Sequence, residues 1–421
     1  MLPSNEASRM PRGFFVVLGA QFVSALADNA LLIVTIATLM ERNLAPWWAP
    51  MLKFSFTASY VLLAPVVGTL ADAIPKGRLM GLMSAVKIGG VLMIVSGLHP
   101  AIGFGLVGLG AAAYAPAKYG LITELVPARQ LVVANGWLEM SVVCAALIGT
   151  VVGGVLVSPW LIEASAVRAA SAWLNDASPL TLSLCVILGL YIVSVAMNLA
   201  IKETGARYAS GARDVVSMIS DFIRANSRLW SDPEGRLSLA ATTVVWGVGA
   251  TLQFIVLKWA TEHLGLSLDG AAYLQASVAI GVVIGAVAAG RFVPLTAATL
   301  VIPIGIVLGA AIPLLLVVDS VPMAITVLAM AGAAGGLLVV PLNALLQHRG
   351  HTLLTAGRSI AVQGCNENAS VLIMLAVYGG ILAADVPLKW ILLGFGALIA
   401  LAMSFLAWEG IRLSRCAVRG H

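Results

Sequence analysis

The chain has 421 residues, of which 60% are hydrophobic and 10% charged, with a mean hydropathy of +1.00. A soluble domain carries about 25% charged residues, so a water-soluble fold is excluded and a bilayer is the solvent that suits this composition. The net charge of +5 is not a nucleic-acid footprint, because its placement along the chain explains it without any nucleic acid.

A polar lead is followed by an apolar run over 14–40. That run is longer than the roughly 7–15 residues of a secretory h-region, so a retained first helix is expected rather than a cleaved signal. Further apolar runs fall near 49–71, 78–98, 101–125, 131–157, 180–202, 237–261, 268–290, 297–318, 321–346, 357–383 and 388–409. Lipid admits only helices or closed barrels, because every backbone N–H and C=O must be paired internally, and these runs are too long for barrel strands. The predicted fold class is an all-α membrane protein of twelve transmembrane helices.

Lys and Arg distribute unevenly between alternate loops. With a cytoplasmic N-terminus, seventeen (Arg9, Arg12, Lys76, Arg78, Arg129, Lys202, Arg207, Arg213, Arg224, Arg228, Arg236, Arg291, Arg349, Arg358, Arg412, Arg415, Arg419) fall on that side and four (Arg42, Lys53, Arg168, Lys389) on the other. This bias places both termini in the cytoplasm. The spans divide into an N-terminal six-helix half, 1–202, and a C-terminal six-helix half, 237–421. The cytoplasmic linker between them, 203–236, carries an amphipathic helix in which Val215, Met218, Ile219, Phe222 and Ile223 follow helical spacing beside Arg224 and Arg228.

Ionisable residues inside spans cost several kcal/mol unless paired or hydrated, which makes them functional candidates. Six qualify: Asp28, Lys87, Lys118, Glu139, Lys258 and Glu367. Measured at about 1.5 Å per residue from each span's cytoplasmic end, Lys118 and Glu139 lie about 10–12 Å deep, Lys87 and Glu367 about 13–15 Å, and Asp28 and Gln253 about 21–24 Å. Lys118 with Glu139, and Asp28 with Gln253, are therefore the expected neighbours. Lys258, about 30 Å in, reads as a snorkelling side chain at the far interface. Gln21, Ser24 and Asp28 recur at i, i+3 and i+7, as Gln363, Glu367 and Ser370 do at i, i+4 and i+7 with Asn366 alongside. Each stripe is open to two readings, the lining of a polar cavity or interhelical glue. Pro116 should free a carbonyl beside Lys118, a cation suited to phosphate or to a structural pair with Glu139. The pairs Gly149/Gly153 and Gly281/Gly285 allow close helix approach.

Signatures of soluble enzymes are missing: no Gly-Lys-Ser/Thr phosphate loop and no H-E-x-x-H occur. Neither the histidines, at span ends or termini, nor Cys144, Cys185, Cys365 and Cys416 show metal-ligand spacing. A transporter without cofactor or metal is expected, not an enzyme.

The loop Gly68-Thr-Leu-Ala-Asp72-Ala-Ile-Pro-Lys76-Gly-Arg78 resembles the G-x-L-A-D-x-x-G-R-[KR] signature of the major facilitator superfamily, with Pro75 as a departure. Gly68 permits close helix contact, Asp72 can accept charged hydrogen bonds from a neighbouring helix end, and Lys76 and Arg78 hold the cytoplasmic side. The stretches Gln21–Leu32, Gly110–Gly120, Ala134–Glu139, Val340–Gln347, Ile360–Gln363 and Glu367-Asn368 together resemble the bacterial lysophospholipid transporters of that superfamily. The resemblance implies a flippase carrying lysophosphatidylethanolamine and lysophosphatidylglycerol from the outer to the inner leaflet. A cytoplasmic acyltransferase would then rebuild the diacyl lipid. The resemblance also implies head-group roles for Asp28 and Lys118, within stretches that include Asn29 and Tyr114. The family's Thr-Leu-Arg of span seven is Thr251-Leu252-Gln253 here, which removes a charge opposite Asp28 unless Lys258 substitutes. The expected head-group set is Asp28, Asn29, Tyr114, Lys118, Glu139, Gln253, Gln363, Asn366 and Glu367. A proton-coupled exporter of drugs or small metabolites is the alternative.

Overall fold

The computed structural model describes residues 10–45, 48–162, 180–205, 214–266 and 268–419. Arg9, Arg168, Arg207 and Arg213 of the charge count lie outside them. Among the described residues the structure is all-helical, with twelve helices long and apolar enough to cross a membrane. Six precede the linker: α1 Arg12–Glu41, α2 Trp48–Ala73, α3 Lys76–Val95, α4 Pro100–Leu125, α5 Leu131–Leu156 and α6 Leu180–Leu199. The linker helix is α7, Val215–Ser231. Six spans follow it: α8 Pro233–Glu262, α9 Leu268–Phe292, α10 Ile304–Leu314, α11 Val321–Leu353, α12 Ala356–Ala383 and α13 Leu388–Arg419.

The span around α10 departs from the expected single helix. It runs as 3-10 turn Leu295–Val301, α-helix, then 3-10 turn Leu315–Val317. Pro303 and Pro313 each lack the N–H that a continuous α ladder requires. Two helices, α11 and α13, outrun their apolar segments. α11 continues to Leu353 because its polar last turns find partners: Arg349 pairs with Asp232 through Nε at 3.0 Å and through Nη2.

Asp232 also starts α8. Its carboxylate accepts from the Gly235 N–H at 2.8 Å, and Pro233 occupies the first helical position, where a missing N–H costs nothing. Burial works to raise the Asp232 carboxyl, but the hydrogen bonds from Arg349 and Gly235 outweigh it and hold the group below its ordinary value.

By backbone proximity the chain forms two compact units. The first comprises Met1–Val126, Cys144–Phe222 and Ala356–Ala361; the second comprises Pro127–Val143, Ile223–Thr355 and Val362–His421. In the first, α1 packs on α6 and α4, and α3 on α4 and α6, around Leu31, Val34, Leu52, Val91, Ile94 and Phe104. Gly149 and Gly153 of α5 bring that helix onto α1: a Cβ at Gly153 would sit 2.9 Å from the Ala30 carbonyl. In the second, α9 and α11 interlock through glycines on both sides. A Cβ at Gly281 or Gly285 would fall on the Ala329 or Ala333 carbonyl, and one at Gly332 or Gly336 on the Val278 or Val282 carbonyl. Without a hydrophobic force between helices in lipid, such backbone contact is what holds them. On α7, Val215, Val216, Ile219 and Ile223 are exposed while Ala225 and Leu229 are buried.

Two outcomes are expected from thermal unfolding in detergent. Gly285→Leu must displace backbone, so it should lower stability by about 1–3 kcal/mol, while Gly154→Leu, with open space around it, should not. The Asp232 contribution is complete above the ordinary carboxylate range and is lost as pH falls through the lowered folded value, because unfolding takes up a proton between the two. Asp232→Asn should therefore destabilise at neutral pH by about 1–3 kcal/mol and flatten the acid limb of the stability curve.

Candidate functional site

In the first unit the polar stripe of α1 meets a lysine from α3. The Lys87 ammonium donates to Asp28 Oδ2 at 2.7 Å, to Asp28 Oδ1 at 2.8 Å and to Ser24 Oγ at 3.0 Å. An ammonium has three protons, and the geometry gives each a nearby acceptor. Tyr191 of α6 donates its hydroxyl to Asp28 Oδ1 at 2.6 Å. The cation also lies 5.4 Å from the Tyr114 ring centre and 5.7 Å from that of Tyr191, within cation–π range. The Lys87 side chain is 2% exposed and that of Asp28 17%. The charge is compensated, and the carboxylate keeps an open edge.

A second layer of polar groups fixes the tyrosines. Tyr114 donates to Asn198 Oδ1 at 3.3 Å, and the Asn198 amide donates to Ser84 at 3.2 Å and to Ser194 at 3.4 Å. Gly110 makes room for the lysine stem. A Cβ there would meet Lys87 Cγ and the Met83 carbonyl, each at 2.8 Å.

Depth alone did not give Asp28 this partner, because it placed Lys87 nearer the cytoplasmic end than Asp28. The depth scale follows backbone rise and leaves out the reach of a long lysine stem. Sequence reasoning also missed Tyr191, Ser194 and Asn198. They recur at i, i+3 and i+7 on α6, the same spacing that singled out Gln21, Ser24 and Asp28 on α1, so the signal was present.

The other expected residues of this unit sit nearby in the chain but differ in role. Asn29 donates to the Ala25 carbonyl of its own helix at 2.8 Å, and its Cβ lies against Gly149. Lys118 is buried, with its ammonium 4.3 Å from the centre of the Tyr119 ring.

In the second unit Gln363 of α12 links two neighbours, donating to Asn343 Oδ1 at 2.9 Å and to Glu367 Oε1 at 2.8 Å. Its own Oε1 is buried and has no partner among the described residues, which leaves an acceptor open beside a carboxylate. Asn366 is engaged with α7: it donates to Asn226 at 2.9 Å and accepts from Trp230 Nε1 at 3.3 Å. Gln253 is exposed, and its carbonyl accepts from the Gln275 amide at 2.6 Å. Lys258 pairs with Glu262 one turn on at 2.6 Å. Glu139, half-buried, lines an apolar cavity together with α8 and α11. Asn135 and Gln347 form a buried reciprocal amide pair at 3.0 and 2.8 Å.

The Gly68–Arg78 loop builds a separate cluster in the first unit. Asp72 accepts from the Gly357 N–H at 3.0 Å, in the first turn of α12, where a carboxylate meets the positive end of the helix dipole. Gly68 and Gly357 allow the approach, since a Cβ on Gly357 would be 2.7 Å from the Gly68 carbonyl. Lys76 is folded into the protein. It forms a 2.6 Å pair with Glu124, both side chains almost wholly buried, and Arg78 alone of the two cations stays exposed, paired with Glu203 at 2.8 Å. The reason is Gly120, which leaves space for the Lys76 stem against α4.

Removing one member of a buried pair strands the other, at a cost of about 3–5 kcal/mol. Lys87→Met alone should therefore lower the detergent unfolding temperature more than the double variant Asp28→Asn/Lys87→Met, which leaves no charge behind. Equal losses would show that the pair contributes through packing only.

Known proteins resemble this chain along most of its length. A family model described as Major Facilitator Superfamily matches residues 17–362. The chain is 40% identical over 380 residues to proteins named Lysophospholipid transporter LplT from Yersinia enterocolitica serotype O:8 and Yersinia pestis strain Pestoides F, covering 90% of this chain and 89% of each relative. Among solved structures, a bacterial homologue of the iron transporter ferroportin in an outward-facing state aligns with TM-score 0.73 at 14% identity, over 96% of this chain and 100% of that one. The transporter FucP in its outward conformation aligns with TM-score 0.69 at 17% identity, over 94% and 97%. At these identities the two structures establish the fold alone.

Proposed function

Because the chain belongs to the major facilitator superfamily and, within it, to the lysophospholipid transporter family, we propose that it carries lysophospholipids across a bacterial inner membrane by giving the polar head group a charged foothold inside the bundle. The substrates on this reading are lysophosphatidylethanolamine and lysophosphatidylglycerol, moved from the outer to the inner leaflet, with both termini in the cytoplasm. A cytoplasmic acyltransferase is the partner that consumes the product.

The observation that carries the reading is the Asp28–Lys87 pair in an apolar helix bundle, its ammonium buried and its carboxylate 17% exposed. A charge in hydrocarbon is retained only with a compensating partner. A zwitterionic head group supplies both signs, so partners can be exchanged without exposing either charge: Asp28 takes the ammonium while Lys87 turns to the phosphate. Lys118 is a second cation for phosphate in the same unit. A phosphoglycerol head offers hydroxyl donors to Asp28 in place of the ammonium. In the second unit, the open Oε1 of Gln363 and the carboxylate of Glu367 form an acceptor pair suited to an ammonium or a hydroxyl.

Vesicles containing the protein should move fluorescent lysophosphatidylethanolamine between leaflets faster than empty vesicles, and collapse of a proton gradient should leave downhill movement intact. Asp28→Asn should slow it about tenfold, the cost of one charge-assisted hydrogen bond. Loss of movement on collapse of the gradient would favour a proton-coupled exporter instead.

A further inference from the structure

The second unit holds an apolar cavity of about 160 Å³ that the head-group chemistry does not use. Its walls come from α8, α9, α10 and α11, with Glu139 the one ionisable residue among those that line it. Leu252, Leu308 and Val339 supply buried walls, while Trp246, 37% exposed, and the exposed Gly249 complete the lining. A cavity of about 150 Å³ with such walls stays dry and accepts a small apolar guest. Apart from Glu139 its lining offers a head group no polar side chain to replace lost water, and it suits a run of methylenes.

Four glycines line it, and they divide by what surrounds them. Gly332 and Gly336 are required by packing, because a Cβ at either would strike α9. Gly249 and Gly335 have nothing within 4 Å of where a Cβ would be. Helix packing does not ask for glycine at these two positions, and glycine costs about 1 kcal/mol against alanine in a helix interior. Their effect is to keep the cavity open.

We propose that this cavity receives the end of the substrate's single acyl chain and sets its length, an inference that rests on the lysophospholipid reading. Glu139 faces the same space, a polar mark at an otherwise apolar lining, and the tail enters past Trp246. Side chains at 249 and 335 would shorten the slot without displacing backbone.

Two measurements test it on the full-length protein. In detergent, lysophosphatidylethanolamine brominated near the end of its tail should quench a fluorescence component present in the wild type and missing from Trp246→Phe. No quenching of that component, or equal quenching by a tail-brominated diacyl phosphatidylethanolamine, would overturn the proposal. In vesicles, Gly249→Val and Gly335→Val should move dodecanoyl lysolipid within about twofold of wild type yet lose palmitoyl relative to dodecanoyl about tenfold, the usual scale for a misfit in an apolar pocket. Gly189→Val, at an open position of α6 in the first unit, should leave the ratio unchanged. Unchanged ratios in all three, or equal loss of both chain lengths in protein that remains monodisperse, would also overturn it. Trp246 quenching in a protein that moves no lysolipid would remove the transport reading and uphold the pocket.

Discussion

A lysine and an aspartate 2.7 Å apart in an apolar helix bundle set the terms for the rest of this molecule. Neither charge is tolerable alone in hydrocarbon, so the surrounding sequence is arranged to bring them together. Ser24 accepts a hydrogen bond from the lysine, Tyr191 donates one to the carboxylate, and Gly110 gives the lysine stem a path along α4. Asn198 and the two serines behind it hold the polar layer in place. Four helices, α1, α3, α4 and α6, are tied by one small network, and the carboxylate edge left open is where the proposed exchange with a head group begins.

Glycine serves two purposes in this fold. At 281, 285, 332 and 336 it lets α9 and α11 touch through their backbones, a contact that replaces the hydrophobic drive absent between helices in lipid. At Gly68 and Gly357 it lets Asp72 reach the start of α12. At Gly249 and Gly335 the neighbourhood is empty, and the same residue preserves volume instead of closing it. The polar foothold and the apolar cavity thus belong to different units of the chain, each described by its own chemistry.

The spans were legible because apolar length is a direct requirement of the bilayer; the predicted limits of the second to sixth spans lie within about three residues of the observed helices. The ends of α11 and α13 were not, since hydropathy stops where apolar residues stop and a helix need not. The break around α10 needed weight on Pro303 and Pro313, which a hydropathy reading passes over. At the site, Asp28, Lys87 and the α1 stripe were visible as costly residues in the wrong solvent. Their pairing was not, because it depends on the reach and direction of side chains across three helices. Tyr191 and Asn198 escaped notice for a plainer reason: neither carries a charge at neutral pH, and only their spacing on α6 marks them. Glu124 escaped because it lies at the edge of its apolar run, where an acid looks solvated until Lys76 is seen folded in against it.

The central claim is that the lysolipid head group occupies the space beside Asp28, and protection of a neighbouring thiol reads this directly. With Cys144, Cys185, Cys365 and Cys416 replaced by alanine, Ala25→Cys places a thiol one turn from Asp28 on the same face of α1, at a half-buried position. At a lysophosphatidylethanolamine concentration about ten times the Kd, labelling by a charged thiol reagent should slow about tenfold, since only the unoccupied fraction reacts. A protein that moves the lysolipid while the thiol introduced by Ala25→Cys reacts at an unchanged rate would contradict the claim.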